Sequence, residues 1–302
     1  MSLHVWSSAK YTFPLPDGHR FPIAKYTLLR ERVIADGVVA RERVHDPSRV
    51  SRDDVLLVHT ADYVDRFTSG MLSRDEERRL GFPWSEALVE RAYRAAGGTV
   101  EAARAALDHG IAMNLAGGTH HAFPSHGEGF CVFNDVAIAI RALQRDGKIE
   151  RAAIVDLDVH QGNGTHAIFA GDDRVFTFSM HGGRNYPFLK VAGRLDIELQ
   201  DGIGDDDYLA LLIDAVPRVI AESRPDLVVY LAGADPHEHD RLGRLSLSFG
   251  GLARRDSIVL ERCREVGIPV AVTIAGGYGD PIEDTIQVHA TTASIAARYA
   301  RP

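Results

Sequence analysis

The chain has 302 residues, with 34 Lys and Arg against 42 Asp and Glu and a formal net charge of -8 at pH 7. That length accommodates one large α/β domain or two small ones, and since no linker-like stretch divides it, residues 1–302 are expected to form a single domain. The charge balance argues against nucleic-acid binding, which needs a basic face, and leaves acidity as a solubilising feature with at most a weak pull on cationic substrates.

In chain order the pattern begins with a short apolar strand over 3–6 and a helix over 22–35, after which residues 40–80 carry no clear period. A long helix over 85–108 leads into a strand over 111–116, followed by a helix over 134–145 and strands over 152–159 and 175–179. A helix over 206–223, a strand over 227–233, a helix over 252–266, a strand over 269–275 and a last helix over 282–299 complete the reading. Near-continuous apolar strands alternating with helices predict a parallel sheet covered on both faces. Cys131 and Cys263 are far apart and in no metal-ligand spacing, so no disulfide framework is expected. No apolar run approaches the ~18–20 residues that span a bilayer, and the N-terminus lacks a basic region followed by an apolar one, so a soluble, cytoplasmic protein without a membrane partner is expected.

The most informative stretch is Ile154-Val155-Asp156-Leu157-Asp158-Val159-His160. On a strand, Asp156, Asp158 and His160 share one face. Carboxylates buried among Ile, Val and Leu need a cation or hydrogen-bond partners, which makes a metal the leading explanation and a hydrogen-bonded structural cluster the alternative. Asp158 and His160 supply two candidate ligands, and Asp235, at the end of the 227–233 strand, supplies a third. Reactive residue types also follow the other strand ends, in Gly117-Gly118-Thr119-His120-His121, Ser179-Met180-His181 and Gly276-Gly277-Tyr278. Ligands of open α/β sheets bind at those ends.

The histidine pair His120-His121 suits metal binding, acid-base work or a plain surface role. If Asp156 accepts from one ring and Asn163 from the other, the two differ in basicity, because a carboxylate stabilises imidazolium far more than an amide does. A metal lowers the pKa of bound water from 15.7 to about 7, and a neutral histidine can take up the released proton. Tyr278 is either an oxyanion donor or a tyrosine in a flexible glycine-flanked turn. Together these parts point to amide hydrolysis.

The segments Gly117 to Ala122, Gly129-Phe130-Cys131-Val132-Phe133-Asn134-Asp135, Asp156 to Gly164, Ser179-Met180-His181, Gly233-Ala234-Asp235 and Gly276-Gly277-Tyr278 resemble, in order, those of the histone deacetylase superfamily, which includes acetylpolyamine amidohydrolases and acetoin-utilisation proteins. The resemblance implies the arginase/deacetylase α/β fold around a mostly parallel eight-stranded sheet with helices on both faces. It also implies zinc on Asp158, His160 and Asp235, with ferrous iron equally acceptable to that set. It makes Tyr278 the oxyanion donor, His120 the histidine backed by Asp156, and His121, backed by Asn163, the proton shuttle. Gly129, Phe130 and Tyr186 match the walls of an acyl-lysine tunnel. Asp156 and Ser179, with the carbonyls of Asp158, His160 and Met180, match a structural potassium site. Gln161, Asn163 and the run Asp240-Arg241-Leu242-Gly243 resemble class IV and bacterial members rather than class I.

The expected substrate is an acyl-lysine in a protein or peptide, or an acylated polyamine or other small amine, with no direct nucleic-acid partner. Two other readings use the same fold: a sensor that binds acyl-amines without turnover, and a ureohydrolase-like enzyme, which would need two bridged metals where only three good ligands converge. The polar run Pro236-His237-Glu238-His239 is expected to be a solvated turn rather than a substrate-facing loop.

Overall fold

A computed structural model describes residues 3–300. Eight strands, β1 (His4–Trp6), β2 (Val44–His45), β3 (Ile111–Asn114), β4 (Ala152–Asp156), β5 (Val175–Gly182), β6 (Leu195–Leu199), β7 (Leu227–Leu231) and β8 (Val270–Thr273), form one sheet in the order β2-β1-β3-β8-β7-β4-β5-β6. Every pairing is parallel. The helices are α1 (Lys25–Ala35), α2 (Arg52–Val55), α3 (Ala61–Ser69), α4 (Arg74–Leu80), α5 (Glu86–His109), α6 (Asp135–Arg145), α7 (Asn163–Phe169), α8 (Asp205–Ser223), α9 (Phe249–Glu265) and α10 (Ile282–Tyr299).

The apolar strand runs make sense once both sheet faces are counted. Along β4, Ala153 and Val155 enter a core shared with α1, α8, α9 and α10, whereas Ala152 and Ile154 enter a second core shared with α5 and α6. Val228 and Tyr230 of β7 likewise face the first core, and Leu227, Val229 and Leu231 the second. A strand that must be apolar on both sides cannot show a period of two. No helix among the described residues is long and apolar enough to cross a membrane.

The expected strands are longer than the observed ones at the ends that matter. The predicted strand over 152–159 stops at Asp156, so Asp158 and His160 lie in the following loop rather than on one strand face. The cause is competition for backbone donors: the N–H groups of Asp158, Val159 and His160 bond to the carboxylates of Asp156 (3.2 Å), Asp235 (2.9 Å) and Asp158 (2.9 Å). Those carboxylates take the place of a neighbouring strand. Conversely, the strand predicted to end at Ser179 continues to Gly182, which puts Ser179, Met180 and His181 inside β5. The unread stretch 40–80 holds β2, α2, α3 and α4, and neither β6 nor α7 was expected from the pattern.

One buried guanidinium ties this architecture together. Arg255 of α9 is fully buried, donates to the carbonyls of Gly233 (2.6 Å) and Leu157 (3.4 Å), and pairs with Asp256. Asp256 also accepts from Tyr230 (2.5 Å) and Thr292 (2.6 Å), so the acid of the pair is satisfied, as burial of charge demands, whereas Arg255 Nη2 has the charge of Asp256 beside it but no aligned hydrogen bond.

Candidate active site

Asp158 and His160 from the loop after β4 and Asp235 from the loop after β7 converge so that one ligand atom from each lies within 4.8 Å of the others. All three are buried. His160 Nδ1 lies 2.9 Å from Asp158 Oδ1 and 3.2 Å from Asp235 Oδ2, and Asp235 Oδ2 has no hydrogen-bond partner. Burial together with the Asp158 charge lifts the Asp235 carboxyl to about 7, while the two carboxylates, against the cost of burial, lift His160 to about 10. Two buried carboxylates thus compete for one positive charge. Gly276 keeps the space between them open, since a Cβ there would collide with Asp235 Oδ2 and approach Asp158 Oδ2. A divalent cation suits this donor set of one nitrogen and two carboxylates.

The loop after β3 carries the paired histidines. Asp135 holds it by accepting from the N–H groups of Gly118 (3.0 Å) and Thr119 (2.7 Å). His120 Nδ1 donates to Asp156 Oδ2 at 2.7 Å, and His121 Nδ1 donates to Asn163 Oδ1 at 2.7 Å. Burial alone would push both imidazoles down, but Asp156 and Asp158 outweigh it at His120 and lift it to about 9. At His121 burial is reinforced by His120 and His160, and the ring stays neutral, well below the usual histidine range.

Glu128, which the sequence did not single out, fixes the tautomer. Asn163 Nδ2 donates to Glu128 Oε1 at 2.7 Å. A carboxylate only accepts, so the amide nitrogen must face Glu128 and the amide oxygen must face His121. His121 therefore carries its hydrogen on Nδ1 and keeps the Nε2 lone pair free. Glu128→Gln relaxes this constraint, because a glutamine amide can present either a donor or an acceptor to Asn163. The expected result is a fall of about tenfold or more in kcat with KM changed less, and retention of wild-type kcat would show the amide is oriented by other means.

Tyr278 is held rather than loose. Its N–H bonds to Asp240 Oδ2 (2.6 Å), its carbonyl accepts from Arg241 Nε (3.0 Å), and the residue is 8% exposed. Lys25, also missed in the sequence, is buried and donates to the carbonyls of Ala275 (3.2 Å) and Gly277 (3.4 Å), bracing the same loop from below. Of these residues only Asp240 and Arg241 had a pointer in the sequence, through the resemblance of the run 240–243 to class IV and bacterial members.

His121, His160 and Tyr278 open into a cavity of about 830 Å³ that Gly129, Phe130 and Tyr186 also line. Gly129 has φ 57°, and a Cβ there would stand 2.7 Å from the His121 ring. Ser179 pairs with Asp156 across β4 and β5, and among the described residues the carbonyls of Asp158 and His160 accept no hydrogen bond. The run 236–239 forms a turn in which Glu238 and His239 are exposed, His239 bonds Asp284 at 2.8 Å, and His237 is buried against Phe249. None of them lines the cavity.

Residues 19–294 match the histone deacetylase domain. The chain belongs to the histone deacetylase family. A protein of Picosynechococcus described as uncharacterised is 47% identical over 291 residues, 96% of each chain. Histone deacetylase 2 of Arabidopsis thaliana is 32% identical over 269 residues, 86% of this chain and 70% of that one. A crystal structure of a histone deacetylase homologue complexed with SAHA superposes with a TM-score of 0.87 at 25% identity, covering 100% of this chain and 85% of the other. Family and fold together make this chain a hydrolase of the deacetylase type on the arginase/deacetylase α/β fold.

Proposed function

We propose that residues 1–302 act as one metal-dependent catalytic domain that hydrolyses the amide of an acyl-lysine or another acylated amine, releasing the free amine and a carboxylate. The observation that carries this reading is the meeting of the Asp158, His160 and Asp235 triad with a neutral His121 and a pinned Tyr278 at one cavity floor. Zinc, or ferrous iron, would be held by those three side chains and would supply Lewis acidity and a low-pKa water.

The remaining steps belong to the protein. His121 Nε2 accepts the proton of the attacking water and returns it to the departing nitrogen. His120, kept cationic by Asp156, adds positive charge where negative charge develops. Tyr278 retains its hydroxyl proton, because burial and then Asp158 and Asp235 hold it well above the usual phenol range, so it donates to the oxyanion. Gly129, Phe130 and Tyr186 flank the acyl-amine chain. The adjacency of Asp156 and Ser179 and the free carbonyls beside them support a potassium ion as a structural brace.

The test is hydrolysis of acetylated lysine peptides and acetylated small amines. Chelation is expected to abolish product release and added zinc or iron to restore it. Tyr278→Phe is expected to lower kcat by about 10²–10³. Hydroxamate binding without turnover of any acyl-amine would identify a sensor instead.

A further inference from the structure

The cavity mouth differs in sign from the molecule as a whole. Arg20, Arg78, Arg79, Arg184, Arg241 and Arg244 line it, and no carboxylate does, on a chain whose formal charge is -8. The arginines come from four separate segments: the approach to α1, helix α4, the loop after β5 and the loop after β7. All six are exposed. Arg78 pairs with Asp75, and Arg184 and Arg244 share Asp201 at 3.7 and 3.2 Å. Among the described residues Arg20, Arg79 and Arg241 pair with no carboxylate. Glu128, beside Gly129 of the lining, is already bonded to Asn163, and Asp240, beside Arg241, to the N–H of Tyr278.

We infer that the substrate is an acylated amine carried on an anionic body, with two or more carboxylate or phosphate groups within reach of this arginine ring. The inference rests on the amide-hydrolase reading of the same cavity and narrows its substrate class. Guanidinium groups bind such oxyanions bidentately, and a ring of one sign focuses the field at a cleft mouth. Cationic carriers are disfavoured: an acetylated polyamine or an acetyl-lysine set among lysines and arginines brings like charge to the rim. The negative charge elsewhere on the chain repels the same anions, so the mouth is where they dwell.

The experiment compares kcat/KM for one acetyl-lysine peptide flanked by glutamates and its counterpart flanked by lysines, at low and high salt, beside an acetylated polyamine and a small acetylated amine bearing carboxylate or phosphate. The glutamate peptide is expected to exceed the lysine peptide by about tenfold or more at low salt, the gap narrowing as salt screens it. Arg20→Glu with Arg79→Glu is expected to erase or invert that ratio. A higher rate on the small anion than on the glutamate peptide would assign the anionic body to a metabolite, and the reverse to an acidic protein segment. Equal rates, preference for the lysine peptide or polyamine, or a ratio unmoved by the double substitution would overturn the inference. Anisotropy of labelled forms of both peptides reads the rim without turnover: absent hydrolysis with salt-sensitive, arginine-dependent binding of the glutamate peptide would sink the enzyme reading and keep this one.

Discussion

Asp235→Ala is expected to lower kcat/KM by about 10³-fold or more and to leave the purified protein largely free of metal. Asp235 is fully buried and contributes one of three ligand atoms that converge within 4.8 Å. Without it the pair Asp158 and His160 cannot fix an ion in one place. The substitution also strips Val159 N–H of its 2.9 Å acceptor, and an unsatisfied buried donor costs about 1–3 kcal/mol. Asp235→Asn separates the two effects, because it keeps an oxygen for Val159 and removes only the anion. Metal content by elemental analysis, activity, and thermal melting with and without added zinc are the measurements. Wild type should gain melting temperature from zinc and both variants should not; normal activity or unchanged metal stoichiometry in either would exclude the ligand set.

The second large effect is expected at the neutral histidine. His121→Ala should lower kcat by about 10²–10⁴ while KM moves little, since the ring works on the proton and not on ground-state binding. The paired histidines are not equivalent: Asp156 faces one and Asn163 the other. His120, already protonated near neutral pH, has no lone pair to offer. Turnover kinetics of the two single alanine variants, with melting curves to verify folding, distinguish a proton carrier from an electrostatic partner. If His120→Ala slows turnover more than His121→Ala and free imidazole restores the former, the assignment is reversed.

Much of this could be read from the chain because residues that act together sit at strand ends, where the pattern of apolar runs already announces them. Asp156, Asp158, His160 and Asp235 were found that way, and so were the histidines. What escaped has a physical cause in each instance. The predicted strand over 152–159 overran because nothing in a residue alphabet says that carboxylates will take over the N–H groups beyond Asp156. Glu128 acts on His121 through Asn163, 35 positions away, and Lys25 reaches Gly277 across 252. The stretch 40–80 hides short elements that depend on tertiary contact, although the Ser73 to Glu76 capping box was there to be noticed. The arginine ring was invisible for a different reason. Bulk composition averages over a surface, and three loops and helix α4 bring together what the average conceals.

The Arg255 tether carries a consequence for how the enzyme fails. Its guanidinium grips the carbonyls just ahead of Asp158 and two residues ahead of Asp235, from α9. Loosening α9 is therefore expected to release the two loops that carry Asp158 and Asp235. Weakening the packing of α9 between α8 and α10 is then expected to cost activity on heating before the sheet melts, a loss that starts outside the cavity.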